Sequence, residues 1–225
     1  MVLRLLKSEV EKFEYFLSNK AATSDDPLLY WENLYHFQSG WNLDTEDLKS
    51  MINRAVYNSQ SKRFWDLPKQ VLLSFVSFNE GFVQIMFKDL FDESKSLAAR
   101  VDRFPFYCEN MLGEMKQNAV KTPSDHHHTT EVVYFYLSMM YPQKYAVYQH
   151  NNFFKTLEKI EAKDLPIVFD AERFFKVSSI INKYLLENKN IDIHIDRLLK
   201  GSLYYKGENM LRVTYFCWYC ANHNF

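Results

Sequence analysis

A chain of 225 residues that is 47% hydrophobic can bury a substantial core in one large domain or two small ones, which excludes a disordered tail or linker. Its 27 Lys+Arg against 28 Asp+Glu give a formal charge of −1, so no global positive field points to nucleic acid or an anionic membrane, and any such partner must meet a local patch. Only 5 glycines and 6 prolines disfavour a sandwich or barrel built on many tight turns, and long helices are expected instead.

Leu3, Leu6, Val10, Phe13 and Leu17 recur at three- and four-residue steps and predict a first amphipathic helix. Charges interrupt this segment, so it does not read as a signal peptide. The stretch "ATSDDPLL" gives a turn with an Asp cap and a proline in the first turn of a short aromatic helix, "LLYWENLYHF", ended by Gly40. Asp44 is the expected cap of the next helix, whose buried stripe is Leu48, Met51, Ile52, Ala55 and Val56, with Trp41 and Leu48 anchoring its start.

Pro68 opens the most apolar segment, through "KQVLLSFVSFNEGFVQIMFKDLF", expected to be the central helix over about 68–87; Gly81 marks a close approach or a break in it. No stretch reads as ~18 consecutive apolar residues, so no membrane partner is expected. "SLAARVDRF" predicts a short helix, and Pro105 begins another through "FYCENMLGEMKQNAV". The polar "KTPSDHHH" is a loop, with His126, His127 and His128 exposed in it, and it marks a sub-boundary near 121–129 between two helical layers.

"TTEVVYFYLSMMY" carries strand-forming residues, but its length and its stop at Pro142 favour a helix. Helices follow over "NNFFKTLEKIEAKDL" and, capped by Asp170, over "DAERFFKVSSIINKYLLENK", with Phe174, Val177, Ile181, Tyr184 and Leu185 inside. "MLRVTYFCWYC" reads as a final helix or one strand. The expected fold is therefore mainly α: one multi-helix globular domain over 1–225, with at most a minor β element near the C-terminus.

No P-loop, G-x-G-x-x-G, H-E-x-x-H or G-x-S-x-G is present, so no nucleotide site, cofactor or catalytic residue is assigned. Cys217, Cys220 and His223 in "CWYCANH" sit at three-residue steps; on a helix they form half a zinc site lacking a fourth ligand, which Cys108 or one of His126 to His128 would have to supply. Half-motifs of this kind are usually incidental, the ordinary reading being a pair of buried small residues near a terminus, and no metal is assigned. Three cysteines without an export signal fit a reducing compartment, and a cytoplasmic location is expected.

Residues 173–212 carry Arg173, Lys176, Lys183, Lys189, Arg197, Lys200, Lys206 and Arg212 against Glu187, Asp192, Asp196 and Glu208, and residues 25–50 reverse that balance. A solvated helix face is the ordinary meaning of such a run. In "YPQKYAVYQHNNFF", Tyr141, Tyr145 and Tyr148 either fix a corner to the core or form a stacking surface beside Lys144.

The segment "YFYLSMMYPQKYAVYQHNNFFK", preceded in order by "FQSGWNLDTEDLKSMINRAVYNS", "RFW" and "MFKDLFDESKSLAARVDRF" with its Leu-x-x-Arg-Val-x-x-Phe, resembles the N-terminal regions of modification-dependent restriction proteins of the McrB type and related AAA+ defence NTPases. The resemblance covers roughly residues 30–155, with a weaker continuation at "LYY". It implies a noncatalytic DNA-recognition module, in the same polypeptide as or in complex with an AAA+ motor and acting with a separate nuclease subunit. The motor's phosphate-binding motif is absent from this sequence, and no aromatic cage for a modified base matches residue by residue. On that reading DNA meets the basic C-terminal region: Lys183, Lys189, Arg197, Lys200 and Lys206 at phosphates, and Tyr204 or Tyr205 stacked on a base. The alternative is a protein-interaction or scaffold domain coupling such a motor to a partner.

Overall fold

The computed structural model describes residues 2–21, 27–59, 63–163, 165–201 and 203–223. Among them are ten helices and no strand: α1 Leu3–Asn19, α2 Leu29–Gly40, α3 Leu48–Ala55, α4 Asp66–Phe91, α5 Leu97–Gln117, α6 Thr130–Met140, α7 His150–Lys159, α8 Ala171–Glu187, α9 Asn190–Leu199 and α10 Leu211–Asn222. The fold is all-α, and "MLRVTYFCWYC" is a helix.

The stripes decide which faces turn inward. Leu6, Val10, Phe13 and Leu17 of α1 are buried as their spacing requires, as are Leu48, Met51, Ile52 and Ala55 of α3. Leu48 is fully enclosed, whereas Trp41 is half-buried, stacked on Phe37 with centroids 4.5 Å apart. The cap of α3 is Asp47, whose Oδ1 accepts the Ser50 amide at 2.9 Å. Asp44 was the expected cap, but it lies in the turn ahead of the helix and pairs with Lys88. The Asp expected to cap α2 falls in residues 22–26, outside the described residues.

Two breaks fall elsewhere than the residue types suggest. In α4 the helical backbone is interrupted at Asn79 (φ −152°, ψ 84°), and Asn79 Oδ1 accepts the Phe82 amide at 3.0 Å, so an internal cap restarts the helix two residues before Gly81. In α5 the helix runs through Pro105 without ending. Val101, Phe104, Cys108, Met111, Leu112 and Met115 form one continuous buried stripe across it, and burial of six side chains outweighs the single hydrogen bond that proline removes.

α6 is more enclosed than α4. Every residue from Val132 to Met139 is buried, and α2, α4 and α5 all pack on it. By length and hydropathy α4 does qualify as a membrane-crossing helix, which the sequence reading had excluded. Here Leu72, Phe75, Val83, Met86 and Phe87 of α4 lie at the floor of the core, with Ile85 and Leu67 left outside. At the other end of the chain α10 packs on α7, α8 and α1, and α9 lies on α1. One apolar cluster runs through all of these elements, from Leu6 to Cys220, and the 118–129 segment joins α5 to α6 across it.

Candidate functional site

Two of the segments singled out in the sequence, "MFKDLFDESKSLAARVDRF" and "YPQKY", meet at one junction. Arg100, 2% exposed, donates from Nη1 to the Leu90 carbonyl at 2.7 Å and from Nη2 to the Tyr145 hydroxyl at 3.0 Å, bridging the end of α4 to the 141–149 corner. Tyr141 Oη donates to the Phe91 carbonyl, and Lys144 Nζ and Tyr145 Oη both reach Glu93 Oε1. Asp89 receives Nε and Nη2 of Arg103 at 2.9 and 3.2 Å and Lys95 at 2.5 Å. Burial pushes the Asp89 carboxyl upward, but the hydrogen bonds from Lys95 and Arg103 outweigh it and hold the pKa below the ordinary aspartate value.

The corner itself is not helical: Pro142 ends α6, and the chain turns before α7 starts at His150. Tyr145 and Tyr148 are 3% and 2% exposed, so they are core rings and not a stacking surface. Lys144 faces solvent, whereas His150 is half-buried, its Nδ1 2.6 Å from Tyr148 Oη.

The residues assigned to nucleic acid divide into two groups. Lys183, Lys189 and Lys200 are exposed and, among the described residues, have no ion-pair partner. Lys206 is exposed over the half-buried Tyr204 ring, 5.6 Å from its centroid. Lys7 of α1 lies beside Lys189: its Nζ is 5.6 Å from the Tyr184 centroid, and both lysines line a groove together with Glu11 and Glu187.

Arg197 and Tyr205 are engaged by the fold. The Arg197 guanidinium donates to the carbonyls of Leu17, Ser18 and Lys20 at 2.7, 3.0 and 3.1 Å, satisfying the end of α1. The Tyr205 amide donates to the Trp31 carbonyl at 3.0 Å, and its ring lies where a side chain at Gly207 would collide with it. Around it Arg212 pairs with Asp192 at 2.8 Å, and Asp196 and Glu208 line the same small cleft, so this part of the flank is mixed in charge.

The Cys/His residues are sorted differently from their spacing. Among the described residues Cys217, Cys220 and His223 do not converge as a ligand set. Cys217 and Cys220 are buried, burial raising the Cys217 thiol to about 12, and the His223 ring packs against Phe16 at 4.5 Å. The ligand atoms of Cys108, His126 and His128 do converge, all within 4.8 Å of one another. His128 is 1% exposed, against the expectation of a solvent-facing triplet. The cause is a turn at His127, whose φ of 57° reverses the chain and whose amide is held by Asp125 Oδ1 at 2.7 Å. The rings of His126 and His128 thus come to 5.8 Å on one side of the loop.

An open concavity of about 690 Å³ lies between α2 and α3 and is lined by His36, Asn42, Asn53, Arg54 and Tyr57. No nucleophile paired with a base emerges from its lining. Neither a family model, nor a curated protein, nor a solved structure matches the chain.

Proposed function

We propose that this chain is a noncatalytic recognition module that holds DNA by its phosphates, as the N-terminal part of a restriction or anti-phage system with an AAA+ motor and a separate nuclease. The observation that carries the reading is that Lys183, Lys189 and Lys200 are exposed and, among the described residues, without ion-pair partners, with Lys206 exposed over Tyr204. Lysines left without carboxylate partners keep their full charge for a polyanion, and phosphate contacts position a duplex without reading its sequence. Tyr204, half-buried beneath Lys206, is the ring on this flank that can take a base when one is extruded.

The reading is tested by a low-salt mobility-shift assay on the full chain with methylated and unmethylated duplexes, followed by a salt titration. Four lysines at phosphates correspond to a log–log salt slope of roughly −3 to −4. Absence of any retained duplex at low salt sinks the DNA reading.

A second reading, a scaffold that couples a motor to a partner, rests on a separate observation. Ile167 and Val168, ahead of α8, are 93% and 74% exposed, adjacent apolar side chains that water solvates poorly. That reading requires a stable partner or self-association in the absence of DNA.

A further inference from the structure

We propose that Cys108, His126 and His128 bind one zinc ion, with solvent in the fourth position, and that the ion fastens the 118–129 loop to α5. One thiolate and two imidazoles are a ligand set for a borderline-soft ion and a poor one for magnesium or calcium, which take oxygen. Three protein ligands leave a fourth position open.

The geometry is partly assembled already. In a tetrahedral site the ligand atoms stand ~3.5 Å apart, from bonds of ~2.3 Å to sulfur and ~2.05 Å to nitrogen. The ligand atoms already lie within 4.8 Å of one another, about 1.3 Å beyond that spacing, so loading draws the ligands together. His128 is the fixed ligand. Its ring is buried between Phe104, at 5.6 Å, and Tyr136, and its Nε2 lies 3.4 Å from the Tyr136 hydroxyl. Its Nδ1 is buried with no hydrogen-bond partner among the described residues, an orphaned polar atom in the core of a natural fold. The Tyr136 hydroxyl oxygen can accept the far N–H of a ligating His128, the place a carboxylate, carbonyl or water takes in most such sites.

His126 is the adjustable ligand. It is half-exposed, and its Nδ1 accepts the His128 amide at 2.9 Å, so ligation requires that ring to turn and release the amide. Cys108, fully buried, supplies the thiolate. On binding, the thiol proton leaves to solvent, Zn²⁺ takes the thiolate and two imidazole lone pairs, and the pocket gains one net positive charge. Glu109 and Asp125, whose fields reach Cys108, His126 and His128, offset that charge.

Cobalt(II) is the probe, because a thiolate bound to it gives a near-ultraviolet charge-transfer band. The expected result is one cobalt per chain with that band, displaced by one equivalent of zinc. The band is lost in Cys108→Ser and retained in the double variant Cys217→Ser, Cys220→Ser. His126→Asn, at a half-exposed position where folding is preserved, lowers cobalt affinity on the order of 100-fold, at least the loss that outer-shell partners alone produce. Zinc also protects the 118–129 amides from hydrogen exchange. A titration without the band, a band that survives Cys108→Ser in folded protein, or one that disappears with Cys217 and Cys220 overturns the proposal.

Discussion

At the junction of α4, α5 and the 141–149 corner, cations and rings are spent on the protein itself, whereas on α8, α9 and residues 203–206 several cations face solvent with no ion-pair partner among the described residues. Arg100, Lys144, Tyr141 and Tyr145 each reach a carbonyl, hydroxyl or carboxylate of a neighbouring element. Lys183, Lys189 and Lys200 reach none among the described residues. The same residue types therefore mean different things, and the partner of each polar atom separates structure from availability. In this chain "YPQKY" and Leu-x-x-Arg-Val-x-x-Phe have a structural role that requires no ligand, since the buried Arg100 guanidinium is satisfied by the Leu90 carbonyl and the Tyr145 hydroxyl.

The comparison breaks first if the junction is not the stability centre. Phe104, 1% exposed, stands beside Phe87, Tyr136 and His128 at 5.2, 5.8 and 5.6 Å. Phe104→Ala is expected to cost ~3–5 kcal/mol from lost transfer energy plus the cavity, read as a lower denaturant midpoint at unchanged slope. A loss under ~1 kcal/mol would mean that the region repacks freely.

Asp89 gives a smaller effect with a pH signature. The carboxylate side chain is 10% exposed, but Lys95 and Arg103 are 42% and 39% exposed, so Asp89→Asn is expected to cost only about 1 kcal/mol. Because the folded-state pKa lies below the ordinary 3.8, the folded protein holds fewer protons there than the unfolded chain. The contribution is complete above the ordinary value and is lost as pH falls through the folded pKa. Wild type should therefore lose stability faster than the Asn variant in acid, and parallel curves between pH 5 and 2 would remove Asp89 from the account.

How much of this was legible in the sequence follows the same division. Stripes on α1, α3 and α8 were readable because one face of each helix meets the core and the period survives. α9 was not: "IDIHID" alternates like a strand, and Ile193 is 62% exposed while Ile191 and Ile195 are buried. Pro105 misled because local backbone preference was weighed without the tertiary stripe that overrides it, and Asp47 displaced Asp44 because two residues of turn precede α3. Helical spacing brought Cys217, Cys220 and His223 together on paper, yet the convergent set is Cys108, His126 and His128, joined by a left-handed turn at His127 that no spacing rule encodes.

Arg197 tests whether the flank is as simple as its composition. It carries the charge of a phosphate contact, but its three carbonyl partners end α1, so Arg197→Ala is expected to lower stability by about 1 kcal/mol as well as any affinity for DNA. Unchanged stability in that variant would return Arg197 to the free cations.

The smallest expected effect on folding, and the most decisive for function, belongs to the lysines. Lys183, Lys189 and Lys200 are exposed and without ion-pair partners among the described residues, so changing each to Gln should move stability by less than ~0.5 kcal/mol. If they meet phosphates, each change weakens all duplexes alike, methylated or not, and reduces the salt slope by about 1, because one fewer counterion is released. Tyr204→Ala should differ in kind, lowering affinity by ~1–3 kcal/mol only where a base is unpaired or readily extruded. Stability and affinity must be measured on the same preparations, since a Tyr204 variant that melts early would count for packing. If the lysine variants keep both the parent's affinity and its salt slope, the flank is a solvated face, and the apolar pair Ile167 and Val168 becomes the surface to examine.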